Sequence, residues 1–340
     1  MLNNTNQQDI LISVIMCVYN TQTEYLHLAV DSILKQTHSN FELIIVDDCS
    51  KTDLFCDSIF CDKRIKIIRN RVNRGAAYAR NQALKVAKGE FIAIMDSDDY
   101  SFPTRLEEQL NFMCQNPDVV VCGTWFQHFG AKNNSVERVI DDNEYYKCCL
   151  LFGNIPTLLN PSAMIRRQIL EDYNIKYDER LRLGQDYGLW TELIKYGTIT
   201  NYKKILVKYR IHENQVTNKN HISRQTLPYD KIVKIKQLDF LSDNFTEKEK
   251  DLFSLHVYDK RVKPVKYYHL LQKILLENTK KKYYDQEKLK TRIVEQWETK
   301  IRCINNPLLL LSIQIRIPKE FCHVASIKWK QFVNKILKKS

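Results

Sequence analysis

The chain has 340 residues, enough for one full domain and a smaller appendage, and a formal net charge of +12. No apolar run approaches the roughly 20 residues that a membrane-spanning helix needs, and Met1 to Asp9 lack a signal-peptide core, so a cytoplasmic location is expected. The 10 cysteines include no Cys-x-x-Cys pair, and Cys17, Cys49 and Cys122 fall within or beside expected strands, as small core residues in a reducing compartment do.

Ile12 to Val18 is an apolar run followed by Tyr19-Asn20, after which Leu26, Val30, Ile33 and Leu34 share a helical face. This is strand, turn, helix. Phe41 to Val46 is a second run, ending in Asp47-Asp48-Cys49-Ser50, and Ile65 to Ile68 reads as a short further strand. Asn73 to Asn81 opens an Ala-rich helix that Gly89 is expected to close. Phe91 to Met95 is another buried-type strand, and it stops at Asp96-Ser97-Asp98-Asp99. The alternation predicts an α/β domain with a mainly parallel sheet covered on both faces.

Carboxylates thus end two strands at one edge, where open α/β sheets bind ligands. Asp96 and Asp98, two apart in an extended turn, can aim oxygens at one hard cation, and such cations are usually shared with substrate phosphates. The alternative is a solvated turn that caps a helix starting near Pro103. Arg74 and Arg80 flank the start of the Ala-rich helix, where free N–H groups favour an anion; the alternative is two ordinary surface arginines.

Ser13 to Asn20, Ile45 to Ser50, Asn73-Arg74-Gly75 with Ala79-Arg80-Asn81, and Met95 to Asp99 occur in the order and spacing of the family 2 glycosyltransferases of bacterial surface-polysaccharide assembly. The resemblance covers roughly residues 10 to 215. It implies the GT-A fold, Rossmann-like with helices on both faces of the sheet, and inverting transfer from a nucleotide sugar, UDP-linked in the leading reading. Tyr19 would lie against the base, Asp48 would hydrogen-bond it, and Arg80 would stand nearby. Asp96 would contact ribose or metal, and Asp98 would hold Mn²⁺ or Mg²⁺ against the diphosphate.

Inverting transfer also needs a carboxylate to take the acceptor hydroxyl's proton. Leu183-Gly184-Gln185-Asp186 precedes a helix with Leu189, Leu193 and Ile194 and resembles the family's Glu-Asp motif, with Gln185 in place of glutamate. Asp186 is therefore the candidate base, its alternative role being a plain helix N-cap. Tyr209 to Val216 resembles the segment that ends many of these domains, and His212 is a candidate ligand of metal or diphosphate, or else a structural histidine. Trp190 is expected in the core, or lining the acceptor sugar. The span from Gly130 to Pro161 is expected to help select the acceptor. The Gln-x-x-Arg-Trp motif of processive synthases does not occur, so transfer of one or a few sugars is expected.

The excess positive charge belongs to the tail: 26 Lys or Arg and 13 Asp or Glu follow residue 220, against 26 and 27 before it. The expected domains are a catalytic unit, 1–220, and a basic helical region, 221–340, joined near 215–228. Ala325, Trp329, Phe332, Val333, Ile336 and Leu337 share a helical face opposite five lysines, and Pro307 to Leu311 precedes them. Such a helix reads as a peripheral anchor on the inner face of the cytoplasmic membrane, or as one packed on its own domain. A sugar transferase building lipopolysaccharide, lipooligosaccharide or capsule on a lipid-linked acceptor is the leading reading. A nucleic-acid-binding protein using the basic tail and a nucleotidyltransferase are the alternatives.

Overall fold

The computed structural model describes residues 7–131, 135–138, 142–153, 158–213 and 228–304, with Asn306 and Ile313. It divides into two compact units, one of Met1–Tyr146 with Asn154–Lys219, the other of Lys147–Gly153 with Asn220–Ser340.

The first unit is built on one sheet. Its strands are β1 (Ile12–Val18), β2 (Phe41–Asp47), β3 (Ile65–Arg69), β4 (Phe91–Asp96), β5 (Tyr100–Ser101), β6 (Val119–Gly130), β7 (Val136–Glu137), β8 (Met164–Arg166) and β9 (Thr198–Ile211). The order is β3-β2-β1-β4-β8-β6-β9-β5, with β7 paired to β6. The first four strands are mutually parallel, β8 runs antiparallel between β4 and β6, and β6 and β9 pair in parallel. Register fixes the site. Val18 stands opposite Asp47, and Cys17 opposite Asp96, so the acids after β2 and β4 emerge on either side of β1's carboxyl end.

Alternation along β1 explains why both faces are covered. Ile12, Val14, Met16 and Val18 share one cluster with Leu26, Ala29, Val30 and Ile33 of α1 (Thr23–Leu34) and with Leu106, Leu110 and Met113. The last three lie on α3 (Arg105–Gln115), which follows α2 (Ala76–Val86) in the chain. Ile15 and Ile44 point the other way and are equally buried, and α2 lies against β1 and β2 there. Each such side chain contributes about 1.5–3 kcal/mol on leaving water. A polar pin crosses the core: Arg105, fully buried, donates from Nη2 to the Ile94 carbonyl (2.8 Å) and from Nε to Gln109 (2.9 Å). Gln109 in turn donates to the carbonyls of Cys122 and Ser162, tying β4 to β6.

Gly89 does not close α2, which ends at Val86 with Ala87 as its C-cap. Its glycine is needed for close approach instead: a Cβ at 89 would lie 2.4 Å from the Ser13 backbone nitrogen. Gly89→Ala is therefore expected to cost about 1–3 kcal/mol, read as a lower urea midpoint, because backbone rather than a flexible side chain must give way. A midpoint unchanged by the substitution would contradict this packing.

The remaining helices of this part of the chain are α4 (Asn143–Phe152), α5 (Arg167–Asp172) and α6 (Gln185–Leu193). The second unit is helical, with α7 (Pro228–Leu241), α8 (Glu247–Ser254), α9 (Pro264–Lys281) and α10 (Gln286–Arg302). Leu238, Leu271, Ile274, Ile293, Trp297 and Ile301 form its core together with Cys148, Leu151 and Phe152 from the end of α4. Thr246 and Glu249 close α8 with a reciprocal capping box. Residues 307–311 and 325–337, the expected membrane-facing segments, lie outside the described residues, as do 214–227 and parts of 130–161. Among the described residues no helix is long and apolar enough to cross a membrane.

Candidate active site

Two turns meet beyond the ends of β1 and β2. The Asp48 N–H donates to the Val18 carbonyl (2.8 Å), the Lys51 N–H to Asn20 Oδ1 (2.9 Å), and the Asn20 N–H to Ser50 Oγ (2.9 Å). Asn20 and Cys49 sit at φ 50° and 68°, the left-handed region that Asn tolerates better than most residues. These bonds leave Tyr19 half exposed on the turn. A flat ring held there by a locked backbone suits stacking against a base.

Asp48 is buried, and its carboxylate faces the start of α2. It accepts from Arg74 N (3.0 and 3.1 Å), Gly75 N (2.6 Å) and Asn70 Nδ2 (2.8 Å). Gly75, at φ 92°, is the helix N-cap, and Asp48 satisfies its N–H and that of the residue before it.

Arg80 is buried on α2 and donates from Nη2 to Asp96 Oδ1 at 3.1 Å. Burial opposes its charge, but Asp96 beside it raises its pKa above the usual arginine value. Burial also pushes the Asp96 carboxyl up, against the pull of Arg80. Arg80 is thus no surface arginine, whereas Arg74 is exposed, stacked 3.6 Å over the Tyr78 ring.

Asp98 Oδ2 lies 2.8 Å from His212 Nε2. The Asp98 carbonyl accepts from Arg210 Nε (2.6 Å), and the Arg210 N–H donates to Asp99 Oδ1 (2.8 Å), so β9 fixes the acidic turn through backbone as well as side chain. Asp99 is fully buried, and burial followed by the charges of Asp98 and Asp96 holds its carboxyl well above the carboxylate range. It is the structural member of the trio.

Asp186 is the second residue of α6. Gly184, at φ 69°, takes the N-cap position, so the helix does not use Asp186 as its cap. The Asp186 carboxylate accepts from the Tyr187 N–H at 2.8 Å, and it lies within electrostatic reach of Arg80, Asp96 and Tyr177. Trp190 is in the core. The structure therefore pairs Arg80 with Asp96 and Asp98 with His212 and leaves Asp186 within electrostatic range of the first pair, while Asp48 turns towards the start of α2.

The family described as Glycosyl transferase family 2 matches residues 13–174, a span that stops short of Asp186. A glycosyltransferase of Methanocaldococcus jannaschii is 33% identical over 223 residues, covering 63% of this chain and 74% of that protein. The UDP-Glc:alpha-D-GlcNAc-diphosphoundecaprenol beta-1,3-glucosyltransferase WfgD of Escherichia coli is 32% identical over 219 residues, covering 62% and 81%. The chain is a family 2 glycosyltransferase. In fold this glycosyltransferase resembles S. aureus TarS 1-349, solved with UDP-GlcNAc, at TM-score 0.57 and 19% identity over 95% of this chain and 92% of that one. The mixed α/β sheet and its helices are those of the GT-A fold.

Two of the residues at the acidic turn could hold a divalent cation. Among the described residues no three His, Cys, Asp or Glu side chains converge. Asp98 and His212 nevertheless offer a carboxylate and an imidazole at one point, and Asp96 gives one oxygen to Arg80. A Mn²⁺ or Mg²⁺ ion shared with a diphosphate needs only one or two protein ligands.

Several residues that shape this site carry no sequence signal by themselves. Arg210 lies over the rings of Tyr25 (4.0 Å) and Phe129 (4.3 Å), and the His212 ring is 5.4 Å from Tyr25. Tyr177, fully buried, lies 5.4 Å from the Arg80 guanidinium. Asn81 fell within a matched motif, but its partners are far away in sequence.

Proposed function

We propose that this glycosyltransferase moves a sugar from a UDP-linked donor to a lipid-linked glycan with inversion, using a divalent cation and Asp186 as base. The observation that supports the reading is the setting of Asp186: it is a carboxylate from after β8 within electrostatic range of the Arg80–Asp96 pair, on a helix capped without it. Tyr19 would stack on the base. Asp98 and His212, with Asp96, would hold the cation, which when bound neutralises charge on the departing diphosphate. Asp186 takes the proton from the acceptor hydroxyl as its oxygen bonds to the anomeric carbon and the bond to the diphosphate oxygen breaks. Attack from the face opposite the leaving group turns an α donor into a β product.

The name of WfgD supports both a UDP donor and an acceptor on a polyprenyl diphosphate, and the UDP-GlcNAc complex of TarS supports the donor class. The basic composition after residue 220 supports a catalytic unit held peripherally at the anionic inner leaflet, each basic residue near it adding about 1 kcal/mol. Lipopolysaccharide, lipooligosaccharide or capsule is the product class in view.

Purified protein with Mn²⁺ and a panel of UDP-sugars is expected to release UDP from one donor and to stop in EDTA. Anionic vesicles carrying polyprenyl-diphosphate-linked GlcNAc should raise the rate and take up the sugar. Release from no donor, with any divalent metal, would overturn the reading.

A further inference from the structure

Helix α2 serves both halves of the site through one buried amide. Asn81 is on average only 4% exposed, and its Oδ1 accepts from the Tyr177 N–H (3.0 Å) while its Nδ2 donates to the Tyr177 carbonyl (2.9 Å). One side chain therefore pairs both backbone groups of a residue 96 positions away, as a neighbouring strand would. Nδ2 also reaches Glu179 Oε1 (3.1 Å), and Glu179 Oε2 lies 3.4 Å from Arg74 Nη2. Farther along, a Cβ at Gly75 would stand 3.2 Å from Arg182 Nη1, so that guanidinium lies over the α2 N-cap.

The segment from Tyr177 to Gly184 is thus bonded to Asn81 of α2 at Tyr177 and Glu179, and lies against the N-cap at Arg182, just before it delivers Asp186. The Tyr177 side chain packs beside Arg80, the residue that holds Asp96. We propose that Asn81 is a positioning residue: by clasping Tyr177 and Glu179 it fixes the segment that carries Asp186 into the site, with Tyr177 beside Arg80. This rests on Asp186 acting as the base.

Only an amide serves here. Alanine would leave the buried Tyr177 N–H and carbonyl without this partner, and aspartate would lose donation to the carbonyl and face Glu179 with like charge. Misplacing a reacting group by about 1 Å costs on the order of 100-fold in rate.

UDP release from UDP-glucose and UDP-GlcNAc, with UDP binding followed by calorimetry, tests the clasp. Asn81→Ala is expected to lower kcat about 10–100-fold with donor KM and the stoichiometry of UDP binding held. The isosteric Asn81→Asp should also lower kcat, and adding Glu179→Gln should restore part of it, because the new amide can donate to the carboxylate at 81. Unchanged kcat in Asn81→Ala, kcat and binding stoichiometry falling together, or no restoration in the double variant would overturn the proposal alone. A wild type that releases UDP from no donor of the UDP-sugar panel, with any divalent metal, would overturn the proposed function itself.

Discussion

Asp186→Asn is expected to lower sugar transfer about 100- to 10,000-fold, the range that a positioned general base contributes, while UDP binding is unchanged. The substitution is close to isosteric, and the amide oxygen can still accept from the Tyr187 N–H. Gly184 caps α6, so the helix loses no cap and the melting temperature should stay near that of the wild type. What goes is the ability to take a proton from the acceptor hydroxyl next to the Arg80–Asp96 pair. Rapid-quench single-turnover transfer, with calorimetry for UDP and a thermal melt, separates these effects. Wild-type transfer by Asp186→Asn would mean that another group takes the proton.

The strands were legible because their signal is local. Ile12 to Val18, Phe41 to Val46 and Phe91 to Met95 are apolar on both faces, as strands buried on both sides must be, and each became a sheet strand. The acids at their ends were legible for the same reason. His212 could be named from its chemistry, but its contact with Asp98 crosses 114 positions, and no local pattern shows such pairing. The clasp of Asn81 on Tyr177 was hidden likewise. Gly89 misled because a glycine after a helix signals both a C-cap and a close approach, and here only the second operates. Nor does composition mark that the last turn of α4 joins the helical unit: Cys148, Leu151 and Phe152 are apolar residues that either core would accept. Asp48 shows the opposite case, a residue recognisable in its motif whose oxygens meet the backbone that leads into α2 in a way the motif does not reveal.

Among the acids of the proposed cation site, Asp98→Ala is the informative change and is expected to lower turnover with Mn²⁺ about 100- to 1,000-fold, comparable with losing one electrostatic stabiliser of a leaving group. The Asp98 carbonyl keeps its bond from Arg210 Nε, and Asp99 keeps the Arg210 N–H, so the turn retains its backbone anchors. Only the carboxylate beside His212 is lost. Asp96→Ala would not report cleanly, because it strips the partner from Arg80, whose side chain is 7% exposed. Leaving such a buried charge unpaired costs about 3–5 kcal/mol, enough to mix unfolding with lost catalysis. Asp98→Ala should therefore melt near the wild type yet fail to bind Mn²⁺ in the presence of UDP, measured by electron paramagnetic resonance of the free ion. His212→Ala should weaken the same binding less, since an imidazole adds no negative charge. Full Mn²⁺ binding with UDP by Asp98→Ala would move the cation elsewhere and leave the Asp98–His212 pair a structural contact.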